Sequence, residues 1–175
     1  LGDNMVGILT THFAINYGAV LQAFALKKAI EDMGFSCEII DYRPEISVSG
    51  RKIVYSFESI KDIIKSIYMY VNIHNRKVFK EKIKIFDTFL INYCGISKEK
   101  YISKNELEKG INKYNTLICG SDQIWNLNLI KDDSYFLNFS INIPDQKKIA
   151  YAPSIAEELT KDQYKEIYQK ICNFD

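Results

Sequence analysis

Residues 5–44 read MVGILTTHFAINYGAVLQAFALKKAIEDMGFSCEIIDYRP, and this stretch decides the fold. It opens on a short apolar run, Met5 to Thr10, followed by the turn-like THFAINYG. From there Val20, Leu21, Phe24, Ala25, Ala29, Ile30 and Met33 recur at helical spacing, while Lys27, Lys28, Glu31 and Asp32 gather on the other face. Gly34 stands where a helix stops. SCEIIDY then reads as a second strand of the buried kind, closed by Arg43 and Pro44. A strand, a helix and a strand within this span match the size of a βαβ crossover in a parallel sheet.

Working outward, the pattern repeats with variations. Residues 45–57 show no period and read as a loop. Two amphipathic helices follow at about 58–73 and 76–93, marked by Ile60, Ile63, Ile64, Ile67, Tyr68 and Val71 and then by Phe79, Ile83, Phe86, Leu90 and Tyr93. Their apolar stripes are wide, so each is expected to bury its face, either over the sheet or in a pair extending from it. A short helix is expected at Asn105 to Ile111 and a last one at about Lys161 to Cys172. NTLIC, SYFLNF and KKIAYA read as further strands. The expected architecture is one Rossmann-like α/β domain over residues 1–175, with helices on both faces of a parallel sheet containing Val6 to Thr10, Cys37 to Tyr42, Thr116 to Cys119 and Ile149 to Ala152.

Composition narrows the function. The 175 residues are 47% hydrophobic, enough for one good core. Lys and Arg number 23 against 22 Asp and Glu, so the chain as a whole has no pull toward nucleic acid or anionic membranes, although a local patch is compatible with that balance. No apolar segment approaches the roughly 20 residues of a bilayer span, and the start lacks a basic region followed by an apolar one. A cytoplasmic chain is the expectation. Cys37, Cys94, Cys119 and Cys172 are scattered without a C-x-x-C pair or nearby histidines, so neither a metal site nor a disulfide framework is expected.

In open parallel sheets, ligands sit beyond the carboxyl ends of the strands. Four such ends carry conspicuous residues: Thr11 and His12, Asp41 and Arg43, Gly120 to Gln123, and Tyr151 with Ser154. The segment NTLICGSDQIWN, residues 115–126, stands out because an apolar run ends abruptly in Gly120, Ser121, Asp122 and Gln123, with Trp125 close behind. Two readings stay open. Asp122 can hydrogen-bond ligand hydroxyls while Trp125 offers a flat face to a sugar ring, or Ser121 and Asp122 cap a turn while Trp125 fills the core. The first strand-to-helix turn has only Gly18, so the dinucleotide fingerprint is absent. Asn16 is a natural N-cap there, and Gln22 follows on the same helix. His12 is a candidate general base, as a side chain that titrates near neutrality; His74, between two helices, has less to recommend it.

The runs GILTTHFAINYGAVLQAFALKKAIEDMGFSCEIIDYRP, LICGSDQIWN, YFLNF and KKIAYAPS resemble, in that order, the N-terminal half of the polysaccharide pyruvyl transferase family. The resemblance covers essentially the whole chain, with residues 45–112 as its variable part. It implies the N-terminal lobe of a two-lobed, glycosyltransferase-B-like enzyme that moves the enolpyruvyl unit of phosphoenolpyruvate onto a sugar of a bacterial cell-surface polysaccharide. Phosphoenolpyruvate is then a donor substrate and no cofactor is implied. The partners would be a glycan or lipid-linked sugar acceptor and a C-terminal lobe outside these residues, carrying most of the basic groups for the donor. The resemblance also implies that Asn16, Tyr17, Gly18, Gln22, Gly120, Ser121, Asp122, Gln123, Trp125 and Asn126 line the inter-lobe cleft, with His12 and Asp122 the candidates for chemistry. After YAPS, Ile155 and Ala156 stand where a Phe-Gly pair is frequent. A nucleotide-sugar glycosyltransferase and a non-catalytic carbohydrate-binding module are the alternative readings.

Overall fold

The computed structural model describes residues 4–44, 51, 60–130, 132–140, 143 and 145–175; the side chains of Asp62, Lys65, Met69 and Tyr70 are not described. The 45–57 loop expectation therefore lies almost wholly outside the described residues, as do positions 58 and 59. The elements are β1 (Met5–Leu9), α1 (Tyr17–Asp32), β2 (Ser36–Tyr42), α2 (Ile60–Val71), α3 (Ile73–Asn92), β3 (Ile96–Tyr101), α4 (Lys104–Gly110), β4 (Thr116–Asp122), α5 (Leu127–Ile130), β5 (Lys147–Pro153) and α6 (Lys161–Ile171). Short 3-10 turns cover Ile111–Lys113 and Asp133–Phe136.

The five strands form one sheet in the order β3-β2-β1-β4-β5, and every neighbouring pair is parallel. The α/β expectation holds, and all four expected strands are present. Side chains alternate across the sheet as the two-residue period demands. Val6, Ile8, Ile39 and Ile118 face α1 and α3, where Val20, Ala23, Ile30, Phe86 and Leu90 meet them. Leu9, Ile40, Tyr42, Leu117 and Cys119 face the other way, onto Leu107, Ile111, Ile130 and Ile167. Each fully buried Leu or Ile contributes roughly 1.5–3 kcal/mol, so these two layers are the main source of stability.

Helix α1 shows how local chemistry sets the boundaries. The Asn16 carboxamide accepts from the Gly18 N–H at 2.8 Å and the Ala19 N–H at 3.4 Å, satisfying two amides that the helix leaves free. At the other end Gly34 adopts φ +89°, and the Gly34 and Phe35 N–H groups return to Glu31 O and Ile30 O. That paired C-terminal motif requires a left-handed residue, which glycine supplies without steric cost.

Three expectations are corrected. SYFLNF is not a strand: Asp133–Phe136 forms a 3-10 turn, capped by Asp132 and ended by Leu137 at φ 51°. Tyr135, Phe136, Leu137 and Phe139 are all buried, so the run is apolar because it plugs one core layer, not because it pairs in the sheet. Strand β3 was not expected. Its sequence ISKEKY exposes Lys98, Glu99 and Lys100 on an edge, where the apolar signal is weak. Finally, α3 buries Phe86 and Leu90, but α2 exposes Ile60, Ile64, Ile67, Tyr68 and Val71 and buries Ser66 instead.

Candidate functional site

Strand order places a topological switch point between β1 and β4. The chain leaves β1 for α1 on one face of the sheet and leaves β4 for α5 on the other, which opens a crevice at their carboxyl ends. The predicted strand ends converge there. Thr11 Oγ1 donates to Asp122 Oδ2 at 3.2 Å, joining the loop after β1 to the end of β4. Asp122 O accepts from the Ser154 N–H at 2.9 Å, and Ser154 O accepts from the Trp125 N–H at 3.3 Å, joining β4 to the end of β5.

Gln22 is the pivot. Its Nε2 donates to Thr10 Oγ1 at 2.8 Å and to Ala19 O at 3.0 Å, while its Oε1 accepts from the Ser121 hydroxyl at 2.8 Å and the Ser121 N–H at 3.1 Å. One amide thus ties α1, β1 and β4 together, and Ser121 is held from beneath. Gly120 sits at φ +127°, and a Cβ built there would lie 1.9 Å from Tyr151 O, so only glycine fits beside the neighbouring strand. The Gly120–Ser121 peptide is cis. Asp122 follows at φ 85°, a conformation sparsely populated by residues with side chains, and the pinning of its loop on both sides holds it there. Its side chain is exposed, with Oδ1 accepting from the Gln123 N–H at 2.8 Å.

Below this rim lies a buried charged cluster. His12 is fully buried, with Nδ1 3.1 Å from Thr10 O and Nε2 3.0 Å from Asp41 Oδ1. Both ring nitrogens face atoms that only accept. The same Asp41 oxygen receives the Arg43 Nε–H at 2.5 Å. Burial pushes the Asp41 carboxyl up, but the hydrogen bonds and charges of His12 and Arg43 outweigh it and hold the group below its usual 3.8. Arg51 extends the cluster: its Nη1 donates to Asp87 at 2.6 Å, its Nε donates to Phe13 O, and its buried Nη2 has no partner among the described residues.

The sequence-predicted residues separate into two layers. Asn16, Tyr17, Gly18, Asp122 and Gln123 are exposed at the strand ends, and Gln22 and Ser121 lie half-buried beneath them. His12, Gly120, Trp125 and Asn126 are buried. Trp125 is 8% exposed, stacks on Phe136 with ring centroids 5.2 Å apart, and donates its indole N–H to Tyr135 O at 3.2 Å. Its ring is a core anchor of the loop. Asn126 Oδ1 accepts from the Asn128 and Leu129 N–H groups, each at 3.1 Å, and so starts α5; its Nδ2 donates to Glu157 at 2.9 Å. Asn128 donates to the other Glu157 oxygen at 2.6 Å, and the hydrogen bonds from Asn128 and Asn126 lower the Glu157 pKa. His74 is exposed on α3, outside this group.

Thr10, Arg51 and Glu157 were not among the predicted site residues, and Asp41 was singled out only as a strand end, not as the partner of His12. A side chain whose importance comes from a partner far along the chain has no local signature, as the His12–Asp41 and Asn126–Glu157 separations of 29 and 31 positions illustrate. The departure after YAPS has a local consequence. Ile155 packs against the core, and Ala156 takes φ 55°, a left-handed backbone that a glycine would adopt without strain.

Among the described residues no group of His, Cys, Asp and Glu is arranged to hold a metal ion, and no helix is long and apolar enough to cross a membrane. What the crevice offers is hydrogen bonding: an exposed carboxylate, an exposed amide and a half-buried hydroxyl, all held on a rigid rim. Comparison with curated proteins and with solved structures returns no match. A family model described as polysaccharide pyruvyl transferase matches residues 16–174, nearly the entire length from the N-cap of α1 past the end of α6, and the chain belongs to that family.

Proposed function

We propose that this chain is the N-terminal lobe of a pyruvyltransferase that moves the enolpyruvyl unit of phosphoenolpyruvate onto a sugar of a cell-surface polysaccharide, and that the β1/β4 crevice holds the acceptor sugar. Family membership supports the reaction class. The observation that carries the placement is Asp122, an exposed carboxylate at left-handed φ beside the switch point, fixed through Thr11, Gln22–Ser121 and Ser154. Rigid elements presenting an unusual backbone are where binding groups are placed.

Forming a pyruvyl ketal requires two sugar hydroxyls to add at the central carbon of the enolpyruvyl group while its methylene gains a proton and phosphate departs. Asp122 accepts hydrogen bonds from those hydroxyls and orients them; Gln123 and Asn16 contribute adjacent polar contacts. His12 is a positioning residue, since its ring is buried and bonded at both nitrogens. It holds the loop carrying Thr11, which in turn holds Asp122. The phosphate is received by basic groups of the C-terminal lobe.

The test is donor use by the polypeptide that contains both lobes. Incubation with phosphoenolpyruvate and an oligosaccharide acceptor should release inorganic phosphate and add the mass of one pyruvate, less water, to the acceptor. Turnover with a nucleotide sugar and none with phosphoenolpyruvate would refute the reading.

A further inference from the structure

Five apolar residues of α2 face away from the body of the protein. Ile60, Ile64, Ile67 and Val71 follow one another at spacings of four, three and four, forming a single stripe with Tyr68 at its edge. All five are between 56% and 78% exposed, whereas Ser66, on another side of the helix, is buried. Charge is unevenly distributed as well. Residues 60–92 hold seven Lys and Arg against three Asp and Glu, so this hairpin carries +4 within a chain of +1 and the remainder carries −3. On α3, Lys77, Lys80 and Lys84 form an exposed stripe at spacings of three and four, and none of them is ion-paired among the described residues.

We infer that the α2–α3 hairpin docks on an anionic lipid bilayer, with the α2 isoleucine stripe entering the headgroup boundary and the lysines of α3 meeting the lipid phosphates. A strongly amphipathic helix whose apolar stripe is exposed, accompanied by unpaired cations on the neighbouring helix, is the chemistry of an interfacial hairpin. A second copy fits less well, because two hairpins of +4 repel. A nucleic acid would use the lysines and leave the isoleucines in water. The hairpin also lies beside the crevice: Phe86 of α3 packs on Tyr17 at the start of α1 with ring centroids 5.0 Å apart. Docking would bring the crevice to the lipid surface, where a lipid-linked sugar is presented. The inference rests on the hairpin alone and stands whichever group is transferred.

The experiment is co-sedimentation of this chain with vesicles of phosphatidylcholine alone or with about 30 mol% phosphatidylglycerol, at low salt and at about 0.5 M salt. Anionic vesicles should bind at least about tenfold more tightly, and high salt should abolish most of the difference. Ile64→Asn with Ile67→Asn should weaken binding roughly tenfold while the far-ultraviolet circular dichroism and melting temperature stay unchanged, since both side chains are exposed. Lys77→Gln with Lys80→Gln and Lys84→Gln should weaken it by a similar or larger factor. Equal binding to both vesicle types, no binding, or unchanged binding by the isoleucine variant would each overturn the inference. So would a concentration-dependent dimer that the isoleucine variant dissociates in the absence of vesicle binding.

Discussion

The strand-end crevice and the α2–α3 hairpin solve opposite problems. In the crevice, polar side chains are matched to one another whether buried or exposed: the half-buried Gln22 uses both ends of its amide, the buried His12 both ring nitrogens, and the exposed Asp122 both carboxylate oxygens. In the hairpin, apolar side chains that a core could bury are left in water on α2. The first region is built to stay in one shape and the second to meet something else. Mutations should therefore damage the two differently, through stability in one and association in the other.

The largest effect is expected at Gly120. Its φ of +127° and the 1.9 Å separation that a Cβ at this position would have from Tyr151 O leave no room for alanine, so Gly120→Ala should destabilise by more than about 4 kcal/mol or prevent folding, as read by chemical denaturation. Trp125→Ala should follow, at about 3–5 kcal/mol, because the ring stacks on Phe136 and plugs a core layer. A loss below about 1 kcal/mol would return Trp125 to the ligand-facing group.

Asp41→Asn tests the buried cluster beneath the rim. Removing one charge strands Arg43 and His12, at a cost of about 3 kcal/mol near neutral pH. The pH dependence has a definite sign. Because the folded Asp41 carboxyl titrates below its usual 3.8, its contribution is present above about pH 4 and is lost as pH falls through the lower folded value. Wild type should thus lose more stability than Asp41→Asn in that acid range, and the two curves should approach each other. Parallel curves would show that Asp41 does not hold the cluster together. Outside the crevice, Ile67→Asn should change stability by no more than about 0.5 kcal/mol, the scale of a surface substitution. A larger loss would mean that α2 buries its stripe after all.

The contrast also explains what could be read in advance. Strands β1, β2, β4 and β5 and helix α6 were legible from their patterning, and the extent of α1 from the Asn16 cap and the Gly34 stop, which act within a few residues. The face that α1 buries was not, since Leu21, Ala25, Ala29 and Met33 are exposed while Ala19, Ala23, Leu26 and Lys27 are buried. That polar strand ends gather at one edge of the sheet was legible, since a parallel sheet fixes where they meet, but the strand order that puts the switch point between β1 and β4 was not. Pairings across the chain were not: nothing near His12 specifies Asp41, and nothing near Asn126 specifies Glu157. Hydrophobicity misled where it serves something other than the sheet. SYFLNF is a buried plug and the α2 stripe is exposed, yet both carry the same apolar signal as a core segment. Strand β3 failed in the opposite sense, because an edge strand written as ISKEKY is polar enough to pass for a loop.

The central claim is that the rim residue Asp122 serves a ligand and not the fold. The direct measurement is Asp122→Asn in a polypeptide that includes the proposed C-terminal lobe, with melting temperature and pyruvyl transfer recorded together. Asparagine tolerates left-handed φ and retains an oxygen for the Gln123 N–H, so stability should change by less than about 1 kcal/mol. Loss of a charged hydrogen-bond acceptor for the sugar hydroxyls should lower transfer roughly tenfold or more. Unimpaired transfer by the folded variant would contradict the claim, and a large fall in melting temperature with normal transfer at low temperature would assign Asp122 to the scaffold.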